Sequence, residues 1–142
     1  MTVKTILDEK GNAVFSMPPS ATLAEVASEL ASKRIGALLI MEGETLSGIL
    51  SERDVVRALA KDGAAALSAP TSHYMTQAVE TCGIDDLIDD VMERMTAARF
   101  RHLPVVDDGK VIGLVSIGDV VKQRIEAAVR ERDDMRAYIL SS

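Results

Sequence analysis

Aromatic side chains are scarce in this chain of 142 residues: they make up 3% of the sequence, and tryptophan is absent. The core must therefore be aliphatic, and a stacking platform for single-stranded nucleic acid is disfavoured because it needs aromatic rings. An excess of basic residues is also lacking, since the net charge is −6 and the pI about 4.9. This balance argues against binding to duplex nucleic acid, whereas an anionic small molecule requires only a local cluster of Arg and Lys.

Long apolar runs, signal-peptide features and metal-ligand spacings are absent as well. No run approaches the roughly 20 residues of a membrane helix, and Asp8, Glu9 and Lys10 interrupt the N-terminal segment. The single cysteine, Cys82, excludes an intrachain disulfide, and we interpret it as a small half-buried residue rather than a catalytic thiol. The two histidines are far apart in the sequence, so no metal site is expected. These features predict a soluble protein of the reducing cytoplasm, with no contact to a membrane.

One phrase occurs twice in the chain, as GILSERDVV at 48–56 and as GLVSIGDVV at 113–121. The Gly, the Ser and the Asp of the phrase recur with an offset of 65 positions: Gly48 and Gly113, Ser51 and Ser116, Asp54 and Asp119. Residues 34–56 align with residues 99–121 without a gap. Self-similarity at a fixed offset indicates an internal duplication.

Each copy has the same order of predicted elements, β-α-β-β-α, which gives an α+β fold. In the first copy we expect a strand at 13–17, a helix at 21–34 capped by Ser20 or Thr22, strands at 36–41 and 46–51, and a helix after Ser51. In the second copy we expect a strand at 78–81, a helix before Arg99, strands at 102–106 and 110–116 with a type I′ turn at Asp108-Gly109, and a helix after Ser116. The Ala-, Ser- and Pro-rich segment 62–76 has no periodicity and is predicted to be a linker.

The last predicted helix is longer than its counterpart and carries an apolar stripe that is interrupted at Arg132. The stripe consists of Val121, Ile125, Ala128, Met135 and Ile139. A stripe that extends beyond a repeat packs on a partner or folds back on its own domain. We favour a homodimer contact, with the intrachain contact as the alternative.

The repeated Ser-x-x-Asp has two interpretations. As a binding motif, a Ser at a helix start donates to a phosphate, and the Asp accepts the two hydroxyls of a ribose. As a structural motif, the same pair is an N-cap with an acidic first turn. The matching glycines, Gly48 and Gly113, favour a pocket, since a glycine lets a ligand approach the backbone.

Two strand-strand-helix units with this motif resemble the CBS domain family, arranged as a tandem pair or Bateman module. The resemblance rests on GILSERDVVRAL, GLVSIGDVV, RFRHLPVVDDGKVIG and YMTQAVETCGIDDLIDDVMERM. It implies a first repeat over 1–62, a linker over 63–73, and a second repeat with an extended C-terminal helix over 74–142. It further implies packing about a pseudo-twofold axis, two clefts for adenosine-containing ligands, and a homodimer in the form of a four-CBS disc.

The resemblance also implies which residues bind the ligand: Ser51, Arg53, Asp54, Thr76, Val79, Arg101, His102, Leu103, Pro104, Ser116, Ile117 and Asp119. Arg101 and His102 match positions that contact phosphates, and Pro104 matches the strand beside the adenine. The first copy lacks these residues, with Arg53 as the expected replacement charge, so the second copy is expected to be the better mononucleotide site. As alternatives, Arg101 is a solvated surface residue and His102 a satisfied strand-edge histidine.

The resulting prediction is a non-catalytic regulatory module that senses energy or redox state by binding an adenosine nucleotide. AMP is the first choice of ligand, with ADP, ATP, NAD(H) and S-adenosylmethionine as alternatives, and the output passes to an unknown effector protein. An enzyme is disfavoured because the sequence contains no nucleophile-histidine arrangement, paired acid and base, or metal cluster. The other hypothesis is a ligand-free dimerisation scaffold for a partner protein.

Overall fold

A computed structural model describes residues 1–141 and shows a mixed helix and strand architecture, which confirms the α+β prediction. The helices are α1 (Val3–Lys10), α2 (Leu23–Lys33), α3 (Glu52–Asp62), α4 (Ile88–Ala98) and α5 (Ile117–Ser141). The strands are β1 (Ser16–Met17), β2 (Ala37–Glu42), β3 (Thr45–Ser51), β4 (His102–Asp107) and β5 (Lys110–Ser116). Two 3-10 helices, Gly63–Ser68 and Thr71–His73, lie between α3 and α4.

Helices α2 and α4 repeat the same design. The buried residues of α2 recur in α4 with the 65-residue offset: Leu23 and Ile88, Val26 and Val91, Leu30 and Met95. Both helices end at an arginine in the left-handed region, Arg34 with φ 54° and Arg99 with φ 59°. Of the two N-caps proposed for α2, the structure selects Thr22, whose hydroxyl accepts a hydrogen bond from the amide of Glu25.

The predicted hairpins form in both copies. Strands β2 and β3 pair antiparallel with Ala37 opposite Ser51, and β4 pairs with β5. The turn between β4 and β5 has positive φ at Asp108 (51°) and Gly109 (76°), as the type I′ prediction requires.

The prediction of a strand at 78–81 is wrong. In the described residues this segment forms no strand, and a parallel bridge from Cys82 to Val105 follows it, where the first copy has strand β1 beside β2. The reason is Pro104. In the first copy the amide of Leu39 donates to the carbonyl of Phe15. The corresponding residue of the second copy is Pro104, which has no N–H, so the ladder cannot extend toward Glu80.

The chain divides into two compact units. Unit 1 contains residues 1–12, 81–107 and the chain from Ile112 onward, and unit 2 contains residues 13–80 and 108–111. The core of unit 1 is formed by Val3, Ile6, Leu7, Cys82, Ile88, Val91, Met95, Leu103, Val105, Val115 and Val120. The core of unit 2 is formed by Leu23, Val26, Leu30, Leu38, Ile40, Leu50, Ala58 and Ala66. Helix α1 therefore belongs to the unit that holds the second Ser-x-x-Asp.

Residues 62–76, which we expected to be a linker, are packed into unit 2. Thr71 is fully buried, and its hydroxyl donates to the carbonyls of Pro19 at 3.1 Å and Pro18 at 3.3 Å. The amide of Leu23 donates to the carbonyl of Ala69 at 3.0 Å. The segment was predicted to be a linker because its apolar residues show no periodicity. Its 3-10 helices, Gly63–Ser68 and Thr71–His73, are too short to produce a regular apolar spacing.

Candidate functional site

The first Ser-x-x-Asp lies where β3 ends and α3 begins, and it forms a reciprocal cap. The amide of Asp54 donates to Ser51 Oγ at 3.4 Å, while the amide of Ser51 donates to Asp54 Oδ2 at 2.9 Å. The Ser51 hydroxyl donates to the same Oδ2 at 3.1 Å. This geometry is a capping box, so the structural interpretation of the motif is correct for this copy.

The second Ser-x-x-Asp has the same geometry at the junction of β5 and α5. The amide of Ser116 donates to Asp119 Oδ2 at 2.9 Å, and the amide of Asp119 donates to Ser116 Oγ at 3.2 Å. The first helical amide is also held alike in the two copies: Glu52 donates to the carbonyl of Gly36, and Ile117 donates to that of Arg101. The duplication thus extends to the hydrogen bonds of the helix start.

The cap leaves one oxygen of each carboxylate available. In both copies Oδ2 takes the capping bonds, and within residues 1–141 Oδ1 of neither Asp54 nor Asp119 accepts a hydrogen bond. Asp54 Oδ1 lies 3.9 Å from the guanidinium of Arg57. The two carboxylates are 14% and 25% exposed. Capping and ligand binding are therefore compatible in one motif, although the sequence presented them as alternatives.

Asp119 has a partner that Asp54 lacks. The ammonium of Lys10, from the last turn of α1, donates to Asp119 Oδ2 at 2.8 Å and to the carbonyl of Leu114 at 2.9 Å. Burial raises the pKa of Asp119, but the hydrogen bonds from Lys10 and Ser116 and the lysine charge outweigh it, so the pKa lies below its usual value. Lys10 was not among the residues predicted from the sequence, because it is 109 residues away from Asp119 in the chain.

The two motif glycines face protein atoms. A Cβ at Gly48 would lie 2.7 Å from Met75 Sδ and 2.8 Å from the carbonyl oxygen of Thr76, and a Cβ at Gly113 would lie 2.7 Å from Leu7 Cδ2. The glycines therefore make room for two other segments of the chain, the one that contains Met75 and Thr76 and the one that contains Leu7. Our inference that they favour a ligand pocket is not supported by this packing.

The remaining predicted site residues are divided between the units. In unit 2, Arg53 is exposed, Val79 is half-buried, and Thr76 forms a two-way backbone bridge with Ile49. In unit 1, Arg101 is exposed, His102 and Ile117 are half-buried, and Leu103 and Pro104 are buried.

Leu103 lies in the hydrophobic core of unit 1, so its side chain supports strand β4. The carbonyl of Pro104 accepts a hydrogen bond from the amide of Cys82. The roles that the resemblance gives to Arg101, His102 and Pro104 stay predictions.

The single thiol is inaccessible. Cys82 is 5% exposed, and burial, assisted by Asp86 and opposed by Arg94, raises its pKa to about 11. A buried, protonated thiol is a poor nucleophile. In the part of the chain that the structure describes, no group of three or more potential ligands could hold a metal, and no helix is both long and apolar enough to cross a bilayer.

Comparison with known proteins identifies the family. The CBS domain matches twice, over residues 10–61 and 72–126. The chain belongs to the CBS-domain family. CBS domains are generally regulatory modules. A crystal structure of a CBS-domain protein from Agrobacterium tumefaciens is 42% identical, with a TM-score of 0.86, and the match covers 87% of this chain and 99% of that one.

Two similar structures contain adenosine compounds. A CBS domain protein from Pyrobaculum aerophilum complexed with AMP is 30% identical, with a TM-score of 0.74 and coverage of 84% of this chain and 89% of that one. The CBS domain pair of protein MJ0100, in complex with 5′-methylthioadenosine and S-adenosyl-L-methionine, is 27% identical with a TM-score of 0.79; the match covers 89% of this chain and 98% of that one.

Among curated relatives, a 17.7 kDa protein of Acidianus ambivalens is 31% identical over 80% of this chain and 68% of its own length. The mitochondrial CBS-domain protein CBSX3 of Arabidopsis thaliana is 31% identical over 83% of this chain, which spans 60% of that relative.

Proposed function

We propose that this protein is a non-catalytic regulatory module that binds an adenosine-containing ligand at its Ser-x-x-Asp motifs. The observation that carries the proposal is the pair of capped carboxylates, each with Oδ1 left to accept a hydroxyl at the start of a helix of the CBS fold. A ribose offers such hydroxyls, and a charge-assisted hydrogen bond to a carboxylate contributes about 1.5–3 kcal/mol.

The helix starts also suit an anionic group. Helices α3 and α5 begin directly after Ser51 and Ser116, and the first turn of each presents the positive end of the helix dipole. The exposed Arg53 and Arg101 add positive charge in unit 2 and unit 1, respectively. These features favour a nucleotide such as AMP. ADP, ATP, NAD(H) and S-adenosylmethionine are the alternatives, and no metal is required in this proposal.

No reaction is assigned to the motifs. Each serine oxygen accepts the amide of its aspartate as part of the cap, and the buried thiol of Cys82 is protonated at neutral pH. The proposed output is a change in how the protein meets an effector protein. A ligand causes such a change only through different affinities for two arrangements.

Thermal unfolding tests the binding. We would compare AMP, ADP, ATP, NAD, NADH and S-adenosylmethionine at millimolar concentration. A ligand present at 100 times its Kd stabilises the protein by about 2.7 kcal/mol, which raises the Tm by about 5–10 °C for a domain of this size. Asp54→Asn and Asp119→Asn keep the shape of the side chain and should reduce the shift. No shift with any of the six compounds would contradict the proposal.

A second candidate function, a dimerisation scaffold, is favoured by the exposed face of α5. The helix carries an apolar seam that consists of Val121, Ile125, Ala128, Met135 and Ile139. Successive members are four, three, seven and four residues apart, and the four larger ones are 39–62% exposed. This spacing is typical of a coiled-coil seam. We propose that α5 of a second copy covers it.

Sedimentation analysis tests the dimer with Ile125→Glu and a control at a polar position, Lys122→Glu. The seam variant should be monomeric at concentrations at which the control remains a dimer. Identical masses for both variants would contradict this contact. A dimer that shows no thermal shift with nucleotide would leave the scaffold as the function.

A further inference from the structure

Lys10 is held in a fixed position at the second motif. Helix α1 is attached to unit 1 by the amide of Val3, which donates to the carbonyl of Asp86 at 2.9 Å, and its side chains Ile6 and Leu7 lie in the core. The helix ends directly after Lys10. Lys10 thereby reaches Asp119 from a helix whose apolar face is packed in the core of unit 1.

The surroundings of Lys10 are balanced in charge. A cleft of about 80 Å³ beside Asp119 is lined by Ile6, Glu9, Lys10, Asp119, Lys122 and Gln123. Two ammonium groups therefore face two carboxylates, and one of these, Glu9, accepts a hydrogen bond from the buried amide of Gln123. An ammonium has three donors. Lys10 uses one on Asp119 and one on the carbonyl of Leu114, which leaves one for an incoming group.

Within residues 1–141, the first motif has no cation in the position that Lys10 occupies at the second. The 65-residue offset pairs Lys10 with Met75, whose side chain lies beside Gly48. The carbonyl of Ile49, which corresponds to that of Leu114, accepts the amide of Thr76 instead of an ammonium. The charged neighbour of Asp54 is Arg57, which is 3.9 Å away and 74% exposed.

We propose that Lys10 is the residue that makes the Asp119 motif select phosphorylated adenosine ligands over uncharged adenosine. Without ligand, Lys10 neutralises Asp119; with ligand, its remaining donor binds the phosphate next to the ribose held by the carboxylate. Replacement of Lys10 by an apolar residue leaves the cleft with one more carboxylate than ammonium, which repels a phosphate. This inference rests on the proposed nucleotide binding.

Calorimetric titration with AMP and with adenosine tests the inference. The measurements use the full chain with Asp54→Asn, so that the first motif contributes less. The variants are Lys10→Met, which places the residue of the first copy in the second, Lys10→Arg, which keeps the charge, and Lys4→Met, which removes an exposed lysine of the same helix. In Lys10→Met the preference for AMP over adenosine should fall about tenfold or more, which corresponds to about 1.4 kcal/mol or more. Lys10→Arg and Lys4→Met should retain the preference.

The result that overturns the inference is an AMP preference in Lys10→Met within twofold of that of the parent chain. An equal loss of AMP and adenosine binding also overturns it, because Lys10 then acts on the fold alone. If circular dichroism shows that Lys10→Met is unfolded, Lys10→Gln provides the same neutral charge with the same expected result. If neither compound binds the chain without substitutions, the proposed nucleotide binding itself fails, which is a different outcome from binding without selectivity.

Discussion

The two Ser-x-x-Asp motifs have the same caps but different neighbours. Ser51 with Asp54 and Ser116 with Asp119 form equal sets of hydrogen bonds to the helix amides. Beyond the caps, Asp119 is bridged by Lys10, and Asp54 faces an exposed arginine. The two copies share the hydrogen bonds that cap the helix, but they differ in the segment that packs against each motif. Differences in ligand binding between the copies are therefore expected to depend on residues outside the repeated phrase.

The largest expected effect concerns the two glycines. Gly48→Ala places a Cβ against a backbone oxygen, that of Thr76, which cannot move without breaking the bridge to Ile49. Gly113→Ala meets the tip of the Leu7 side chain, which can rotate. We expect a loss of about 2–3 kcal/mol for Gly48→Ala and about 1 kcal/mol for Gly113→Ala, from urea unfolding. Equal losses would mean that the segment containing Thr76 adapts as easily as the leucine.

The next effect compares the two carboxylates. Asp54→Ala removes the carboxylate half of the capping box and leaves the Ser51 half, so we expect a loss of about 0.3–1 kcal/mol. Asp119→Ala removes the corresponding carboxylate and also leaves the ammonium of Lys10 without its partner, so we expect a loss about 0.5–1 kcal/mol larger. A double-mutant cycle with Lys10→Met measures this coupling. A coupling of zero would show that the lysine contributes nothing to stability.

A smaller effect appears in acid. The folded-state pKa of Asp119 is lowered, so its contribution is complete above the unfolded-state pKa of about 4 and is lost as the pH falls through the folded value. Because Lys10 is 38% exposed and partly screened, we expect a contribution of at most about 1 kcal/mol. Between about pH 5 and pH 2, the parent chain should lose more stability than Asp119→Asn, as measured by urea unfolding at each pH. A parallel loss in both proteins would contradict the assignment to Asp119.

The smallest effect uses Cys82 as a reporter of unit 1. The thiol is buried and its pKa is raised to about 11, so a disulfide reagent at pH 8 should react far more slowly than with the unfolded chain. Met17→Cys, with Cys82→Ser, places a thiol at the corresponding position of unit 2, where the side chain is half-buried. The thiol at position 17 should react faster. Rapid labelling of Cys82 in the folded protein would show that unit 1 opens readily.

The local elements were predictable because their signals lie within a few residues of each other. The spacing of Leu23, Val26 and Leu30 predicted α2, and Asp108-Gly109 predicted the turn after β4. The two caps were also predicted as one of two interpretations. The family was predictable because the phrases GILSERDVV and GLVSIGDVV recur at a fixed offset of 65 residues. The comparison of the two copies supplied information about distant residues that a single copy lacks.

The features that escaped prediction depend on contacts across the whole chain. Helix α1 is short, and its buried face is completed by core residues more than 70 positions later, such as Cys82. The hydrogen bond from Lys10 to Asp119 could not be predicted from the spacing of neighbouring residues, because the two residues are 109 positions apart. Pro104 was assigned a place beside the adenine, while its effect on strand pairing was overlooked, although the missing amide was visible in the sequence.

The composition of unit 1 from both ends of the chain has a consequence for its synthesis. Residues 13–80 form most of unit 2 and are contiguous in the chain. Helix α1 precedes them, but it contacts Gly113 and Asp119, so its packing and its ion pair form only after those residues have been synthesised. Domains fold as units during translation. The apolar face of α1 therefore gains its packing partners only after the later segments of unit 1 have been synthesised.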